Sequence, residues 1–435
     1  MMKTKRILSL IAALSLCIGA FAQEDEIVKD GWNFGPLPCV SYNSDLGVQF
    51  GVCADIFNYK GVYPDYRQRF YVEASSYYPS FQTLLHAQFD SKYLIPGIRT
   101  TFSASWQYDP YFQFFGFNGV EPFDPDLFSN TETRTARYLY KRSMVRVLAD
   151  FQGPIAGHLG WIGGLSYWYY GTSDPDLTKK GFDAENTLYY DYKQKGIIKD
   201  NELSGHRLEV KAGLAFDSRD NEAAPNRGIL AEAYVNASPS LTGDGYNYLR
   251  LVAHFRQYIT LWPERVIFAY HLGYQGTVGN APFYTMQNIA TLYLRQTCTD
   301  GLGGMNTVRG LLVQRLVGDT YAWLNSEIRI KLFSFKLLNQ NWYFGINPLF
   351  DAGFIPTLYK GEELAAYYGT TVDELKAKAI LPHFSAGGGL KLAMNQNFIV
   401  SVEMAAPLNA FTYPDGTRQT DGNEPALFIV LNYVF

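Results

Sequence analysis

Six histidines, the serines and four cysteines set the limits on chemistry in this 435-residue chain. His254 and His271 fall inside alternating segments, and His86, His158, His206 and His383 fall near segment ends. A nucleophilic serine needs a base within hydrogen-bond reach, yet no serine stands at a recognisable spacing from a histidine. The G-x-S-x-G turn is missing, and the glycines of GGLSYW read as tight turning or close packing. A triad assembled only in space escapes such a search. Spacings that hold metal, C-x-x-C or H-x-x-x-H, do not occur, and GLGG lacks the strand-to-helix context of a phosphate cradle. These residues therefore predict no enzyme, no metal and no cofactor. A net charge of -4 without a basic patch excludes nucleic acid as a partner.

The elements that would position such residues begin after a leader. Lys3, Lys5 and Arg6 precede an apolar run from Ile7 to Ala20, and Ala20-Phe21-Ala22 is a small-x-small cleavage site, which predicts a signal peptide over 1–22. Leu16 before Cys17 argues against a lipoprotein. A short periplasmic segment over 23–36 and a barrel domain over 37–435 follow. Three cysteines remain after cleavage. Cys39 and Cys53 lie almost symmetrically about the turn near Leu46, so they either pair across a hairpin or stand as two buried or lipid-facing thiols, and Cys298 is left over.

Composition favours a membrane barrel over a secreted soluble β-protein. Charged residues are 18% against about 25% in average soluble chains, and 33 Tyr, 30 Phe and 39 Gly are high. No uncharged apolar run after the leader is long enough for a transmembrane helix, and only helices and closed barrels satisfy the backbone in lipid. Alternation with period two then supplies the strands. Phe70, Val72, Ala74 and Ser76 oppose Arg69, Tyr71 and Glu73. Leu208, Val210, Ala212, Leu214 and Phe216 oppose Arg207, Glu209 and Lys211. Leu249, Leu251, Ala253 and Phe255 oppose Arg250, His254 and Arg256, and Ala322, Leu324, Ile328 and Ile330 oppose Asn325, Glu327, Arg329 and Lys331. These segments run about ten residues or more, the length a tilted strand needs to cross a bilayer. Aromatic clusters in SYWYYG and SSYYPS suggest interfacial girdles.

About sixteen such segments begin near residues 37, 47, 67, 82, 96, 134, 156, 205, 228, 246, 264, 319, 342, 382, 397 and 425. The fold class is thus all-β, a transmembrane antiparallel β-barrel with short periplasmic turns, as at QGP, WPER and NQN, and long extracellular loops. The long connections cover about 109–133, 173–204, 277–318, 355–381 and 408–424, and TTVDELKAKA predicts a loop helix. The last strand, ALFIVLNYVF, puts Leu427, Ile429, Leu431, Tyr433 and Phe435 on one face, and it is expected to close the sheet against the segment near Leu37.

The ordered motifs resemble the BamA/TamA superfamily of outer-membrane barrels, also called the bacterial surface antigen family. PLPCVSYNSDLGVQFG resembles its opening hairpin and FFGFNG the aromatic-glycine stretch after the fifth strand. DSRDNEAAPNRG, with Asp217, Arg219, Asp220, Pro225, Arg227 and Gly228, resembles the turn before the ninth strand. LGGMNTVRG places Val308, Arg309 and Gly310 where the family has its lumenal loop between strands eleven and twelve. The resemblance implies that this loop folds back into the lumen and that Arg309 meets acidic residues, here Glu327 and Asp351, with Gly353 following. A buried guanidinium needs such carboxylate partners. Leu311 and Leu349 depart from the family pattern, and the chain ahead of the barrel is too short for a POTRA docking domain.

By resemblance, the barrel inserts or translocates proteins at the outer membrane, with the Arg309 loop as gate and the C-terminal face as assembly signal. Partners would be outer-membrane lipid, the barrel assembly machinery, a protein client and a separate periplasmic protein. A conduit for lipid or small solutes, or a scaffold or enzyme acting through its surface loops, are the alternatives.

Overall fold

A computed structural model describes residue 28 and residues 30–431, apart from positions 64, 129–135, 223, 241–242, 264, 291–298, 338–339, 395–397, 409, 413–417 and 421–424. The leader, Cys17, Cys298, Tyr433 and Phe435 lie outside the described residues, as does the side chain of Leu431. Sixteen antiparallel strands close into one barrel: β1 (Trp32–Asn43), β2 (Gly47–Asn58), β3 (Gln68–Pro79), β4 (Thr83–Ile95), β5 (Ile98–Gln113), β6 (Leu139–Ala156), β7 (Leu159–Ser173), β8 (Ser204–Asp217), β9 (Gly228–Ser238), β10 (Tyr248–Trp262), β11 (Val266–Gly279), β12 (Thr320–Leu337), β13 (Gln340–Phe354), β14 (His383–Met394), β15 (Phe398–Pro407) and β16 (Ala426–Leu431). No helix among the described residues is long and apolar enough to cross a membrane.

Period-two alternation sorts the two faces as the sequence predicts. Phe70, Val72, Val210, Leu214, Leu251 and Ile328 are exposed on the outside, while Arg69, Arg207, Glu209, Arg250, Arg256 and Glu327 are buried in the lumen. The barrel therefore inverts a soluble core, with apolar side chains towards lipid and ion pairs inside. Arg142 joins Asp109 at 2.9 Å, Arg250 joins Glu209 at 3.1 Å and Arg256 joins Glu232 at 2.7 Å. The same alternation corrects the girdle reading. Trp168 and Tyr170 of SYWYYG are buried in the lumen, and only Tyr167 and Tyr169 face out, because neighbouring residues of a strand cannot share a face.

Several boundaries move. β1 begins at Trp32, so residues 32–36 belong to the wall and not to a periplasmic segment. QGP is no turn: Gln152, Gly153 and Pro154 lie within β6, and the chain reverses at Gly157-His158, where Gly157 takes φ 54°. β6 starts at Leu139, five residues later than predicted, because the chain is still turning at Arg137-Tyr138. Cys39 and Cys53 do not form a disulfide; both thiols are buried on the lumenal face, and neither meets lipid.

Long connections gather at one end, as the length asymmetry predicts, and fold into a dome. Phe114 and Phe117 of FFGFNG, Leu188, Tyr192, Phe283, Leu364 and Leu375 form its core. The helix predicted in TTVDELKAKA spans Val372–Ala379, with Thr371 and Glu374 in a reciprocal capping box. Arg137 ties the dome together, bonding Glu121 at 3.0 Å and Asp191 at 3.1 Å, and the Tyr368 hydroxyl reaches Glu121 at 2.5 Å. Burial pushes the Tyr368 hydroxyl well above its ordinary range, and Tyr192 and Glu121 beside it act in the same direction.

Candidate functional site: the Arg309 loop and the barrel seam

The connection from β11 to β12 turns inward because its own apolar residues cannot stay in water. Leu302, Val308, Leu311 and Leu316 form a buried cluster with Ile289, Tyr321, Trp323 and Ile355. Leu302 and Leu316 bond each other through backbone groups at 2.9 and 3.0 Å, closing the loop on itself. Leu311, where the family pattern has an aromatic, is fully buried in this cluster and packs as an aliphatic anchor.

The loop carries Arg309 to the lumenal faces of β12, β13 and β15. Its Nε and Nη2 donate to the two oxygens of Asp351, each at 2.8 Å, and its backbone N–H donates to Asp351 Oδ2 at 3.0 Å. Nη1 donates to Glu327 at 3.2 Å and to Glu403 at 3.0 Å. The fork matches a carboxylate bidentately, which is why a lysine here would not be equivalent. Arg329 Nε donates to Glu327 at 2.6 Å and Lys391 Nζ donates to Glu403 at 2.7 Å. Asn347 bridges Glu327 and Glu403 at 2.9 and 3.2 Å. Three cations thus face three carboxylates with all six groups buried, so the cluster is neutral and removing one member strands charge.

Glu327 and Asp351 are where the sequence reading put them, but Glu403 and Lys391 were missed. Their signal was alternation on β14 and β15: Lys391 and Glu403 occupy polar-face positions of strands read only as strands. Gly353 is not a partner of the arginine. A side chain there would come within 2.7 Å of Val308 Cγ2, so Gly353 is the socket into which Val308 packs. Gly310, at φ 99°, plays a similar part against the backbone of Ala405 and Ala406, where a Cβ would lie at 3.0 Å.

Beyond Arg309 the loop crosses to the other side of the seam. Val313 N–H donates to Asp45 Oδ2 at 2.7 Å, and Asp45 sits in the β1–β2 turn. Burial pushes the Asp45 carboxyl above its usual range, and the Val313 and Ser44 donors offset only part of that. One loop therefore holds β13 and β15 at one point and the start of the sheet at another.

The seam between them is where the sheet closes. β1 pairs with β2 from Trp32↔Asn58 to Asn43↔Gly47, but among the described residues it pairs with β16 only at Tyr42↔Ile429 and Asn43↔Phe428. This is the closure expected between the last strand and the first, the segment near Leu37. Backbone groups of successive strand residues point alternately to the two neighbours. Ser44 N–H donates to Leu427 O at 3.1 Å and Tyr59 N–H to Gly31 O at 2.9 Å, so even positions of β1 face β16 and odd ones face β2. Pro36 and Pro38 occupy seam-facing positions and have no N–H to donate. Those two positions of β1 therefore offer acceptors but no donors on that side.

Of the C-terminal face, Leu427 and Ile429 are half-buried while their neighbours Ala426 and Phe428 point inward and are buried. The predicted turn residues Asp217, Arg219, Asp220, Pro225, Arg227 and Gly228 lie at the opposite end from the dome, between β8 and β9. Arg219 forks onto Asp217 at 2.9 and 2.8 Å, and Asp220 accepts from the N–H groups of Asn226 and Arg227 at 2.9 and 3.2 Å. Gly228 has φ 108°, and a Cβ would meet Ser218 O at 2.3 Å. His254 and His271 stack in the lumen with ring nitrogens 3.0 Å apart.

Comparison with known proteins agrees with this architecture. BamA from Haemophilus ducreyi lacking POTRA domains 1-3 superposes with a TM-score of 0.55 at 15% identity, covering 93% of this chain and 70% of that one. CdiB from Escherichia coli superposes with a TM-score of 0.55 at 12% identity, covering 93% of this chain and 63% of the other, so the chain spans less than two thirds of CdiB. No curated protein matches in sequence. The Omp85 superfamily domain matches residues 80–420. This chain, a sixteen-stranded barrel with an inward loop anchored by Arg309, therefore belongs to the Omp85 superfamily.

Proposed function

We propose that the barrel moves polypeptide into or across the outer membrane through the β1–β16 seam, with the Arg309 loop as strap and gate. The observation that carries this reading is the double attachment of the loop, through Arg309 to Asp351 and Glu403 and through Val313 to Asp45. Pro36 and Pro38 take two donors away from the seam edge of β1, which weakens its joint to β16, and the strap holds the strands in place until a client arrives. Export by a signal peptide over 1–22, contact with outer-membrane lipid, recognition of the face ending at Phe435 by barrel assembly machinery and docking through a separate periplasmic protein are part of the same proposal.

The test locks the seam. Tyr42 and Ile429 are register partners, so Tyr42→Cys with Ile429→Cys joins β1 to β16 under oxidation. In cells carrying only the locked protein, one or more outer-membrane barrels or secreted proteins fall in abundance, and reductant restores them. Wild-type levels of all of them in the locked strain overturn the reading. The dome covers the outer mouth, which weighs against a permanently open solute pore; steady conductance in planar bilayers would favour the conduit instead.

A further inference from the structure

The β8–β9 turn does more than reverse the chain. Its residues reach three separated parts of the wall at the end opposite the dome. Glu222 bonds Arg99 on β5 at 2.8 Å and Lys92 on β4 at 3.3 Å. Ala224 is buried against Tyr343 of β13, Ala393 of β14 and Ile399 of β15. Asn226 accepts from Lys331 of β12 at 2.8 Å through its side chain and from Thr260 of β10 at 2.8 Å through its carbonyl. In a ring of sixteen strands, β4–β5 and β13–β15 lie on opposite sides of β8–β9, so a segment touching all of them must cross the opening.

The turn is built to hold this position. The Arg219–Asp217 fork and the Asp220 bonds to Asn226 and Arg227 fix its backbone, and Arg219 also donates to the Glu222 carbonyl at 3.1 Å. Glu222 completes a chain of polar contacts along the wall. Arg99 bonds Asp90 at 2.9 Å, Asp90 accepts from Tyr66 at 2.8 Å, and Lys92 bonds Asp65 at 2.8 Å. A solvated turn would need none of these partners.

We propose that the β8–β9 turn is a plug across the periplasmic mouth of the lumen, latched to the wall by Glu222 through Arg99 and Lys92. The plug closes the barrel from below as the dome closes it from above, and any traffic through the lumen requires its release. The inference rests on the barrel alone, not on a polypeptide client.

The native thiols report on it. Cys53 faces the lumen one inward position above Asp55, whose partner Arg69 belongs to the same periplasmic end. In the purified full-length protein carrying Cys298→Ser, the rate at which a small polar maleimide modifies Cys39 and Cys53 is read peptide by peptide by mass spectrometry. Glu222→Gln removes the latch, and Ala224→Trp forces the tip away from Tyr343, Ala393 and Ile399. Each is expected to raise the labelling rate about tenfold in molecules whose heat-modifiable gel mobility shows a folded barrel. A rise in a folded variant supports the plug, and an unchanged rate in every folded variant overturns it. Because no client is present, failure here and failure of the seam-locking test are separate results.

Discussion

Val308 packs into the space that Gly353 leaves empty: a Cβ at 353 would lie 2.7 Å from Val308 Cγ2 and 3.1 Å from Leu302 Cδ1. The loop tip and the wall are therefore fitted to each other beside the salt-bridge cluster. Gly353→Ala is expected to weaken loop docking by about 1–3 kcal/mol through overpacking. Adding Val308→Ala should recover part of that loss, since the small side chain vacates the clashing volume. Protease cleavage within 299–318 measures docking, and a double variant no better than Gly353→Ala would contradict the fit.

Arg309→Ala leaves Asp351, Glu327 and Glu403 with fewer cations than carboxylates in a buried cluster. The expected cost is about 3–5 kcal/mol, enough to release the loop. Arg309→Lys keeps the charge but not the fork on Asp351, so it should fall between wild type and alanine. Thermal loss of the folded gel species and loop proteolysis read both variants, and wild-type behaviour of Arg309→Ala in both would refute a strap held by this residue.

The prolines of β1 make a prediction of opposite sign. Pro36→Ala with Pro38→Ala restores two donors on the seam-facing side of the strand. Hydrogen exchange of amides in β1 and β16 should slow relative to wild type as the ladder lengthens. Under the proposed function, traffic through the seam should decline as well. Faster exchange in the double variant would show that the prolines do not limit pairing.

Acid should release the plug only late. Burial works against the Glu222 charge, but Arg99, Lys92 and Arg219 outweigh it and hold the carboxyl well below its ordinary range. A carboxyl depressed in the folded state contributes its full stabilisation above its unfolded value, about 4.3. That contribution is lost as pH falls through the lower folded value. The groups that decide this are Lys92 on β4, Arg99 on β5 and Arg219 on the turn, with Asp65, Tyr66 and Asp90 around the two wall cations. An environment-sensitive dye on the exposed Arg227→Cys should give constant emission from neutral pH to about 4.3 and shift only below it. In Glu222→Gln the dye should report a displaced turn already at neutral pH. A transition centred above the ordinary carboxylate range would rule out Glu222 as the latch.

The sequence by itself determined the barrel. Its period-two alternation is local, each strand carries it independently, and the resulting faces of β3, β8, β10 and β12 are those of the structure. The loop arginine and two of its carboxylates were legible through ordered motifs, because a buried guanidinium restricts what may stand opposite it. What only the tertiary structure decided is how distant positions meet when the sheet closes. Glu403 joins Arg309 from 94 residues away, and Val313 meets Asp45 across 268 residues. Gly353 became a socket and not a partner, since a missing side chain has meaning only beside the atom that fills its place. Glu222 and Ala224, ordinary residues within a turn motif, acquire their role because curvature brings strands far apart in sequence around one mouth. Alternation fixes which way a side chain points; ring closure fixes what it finds there.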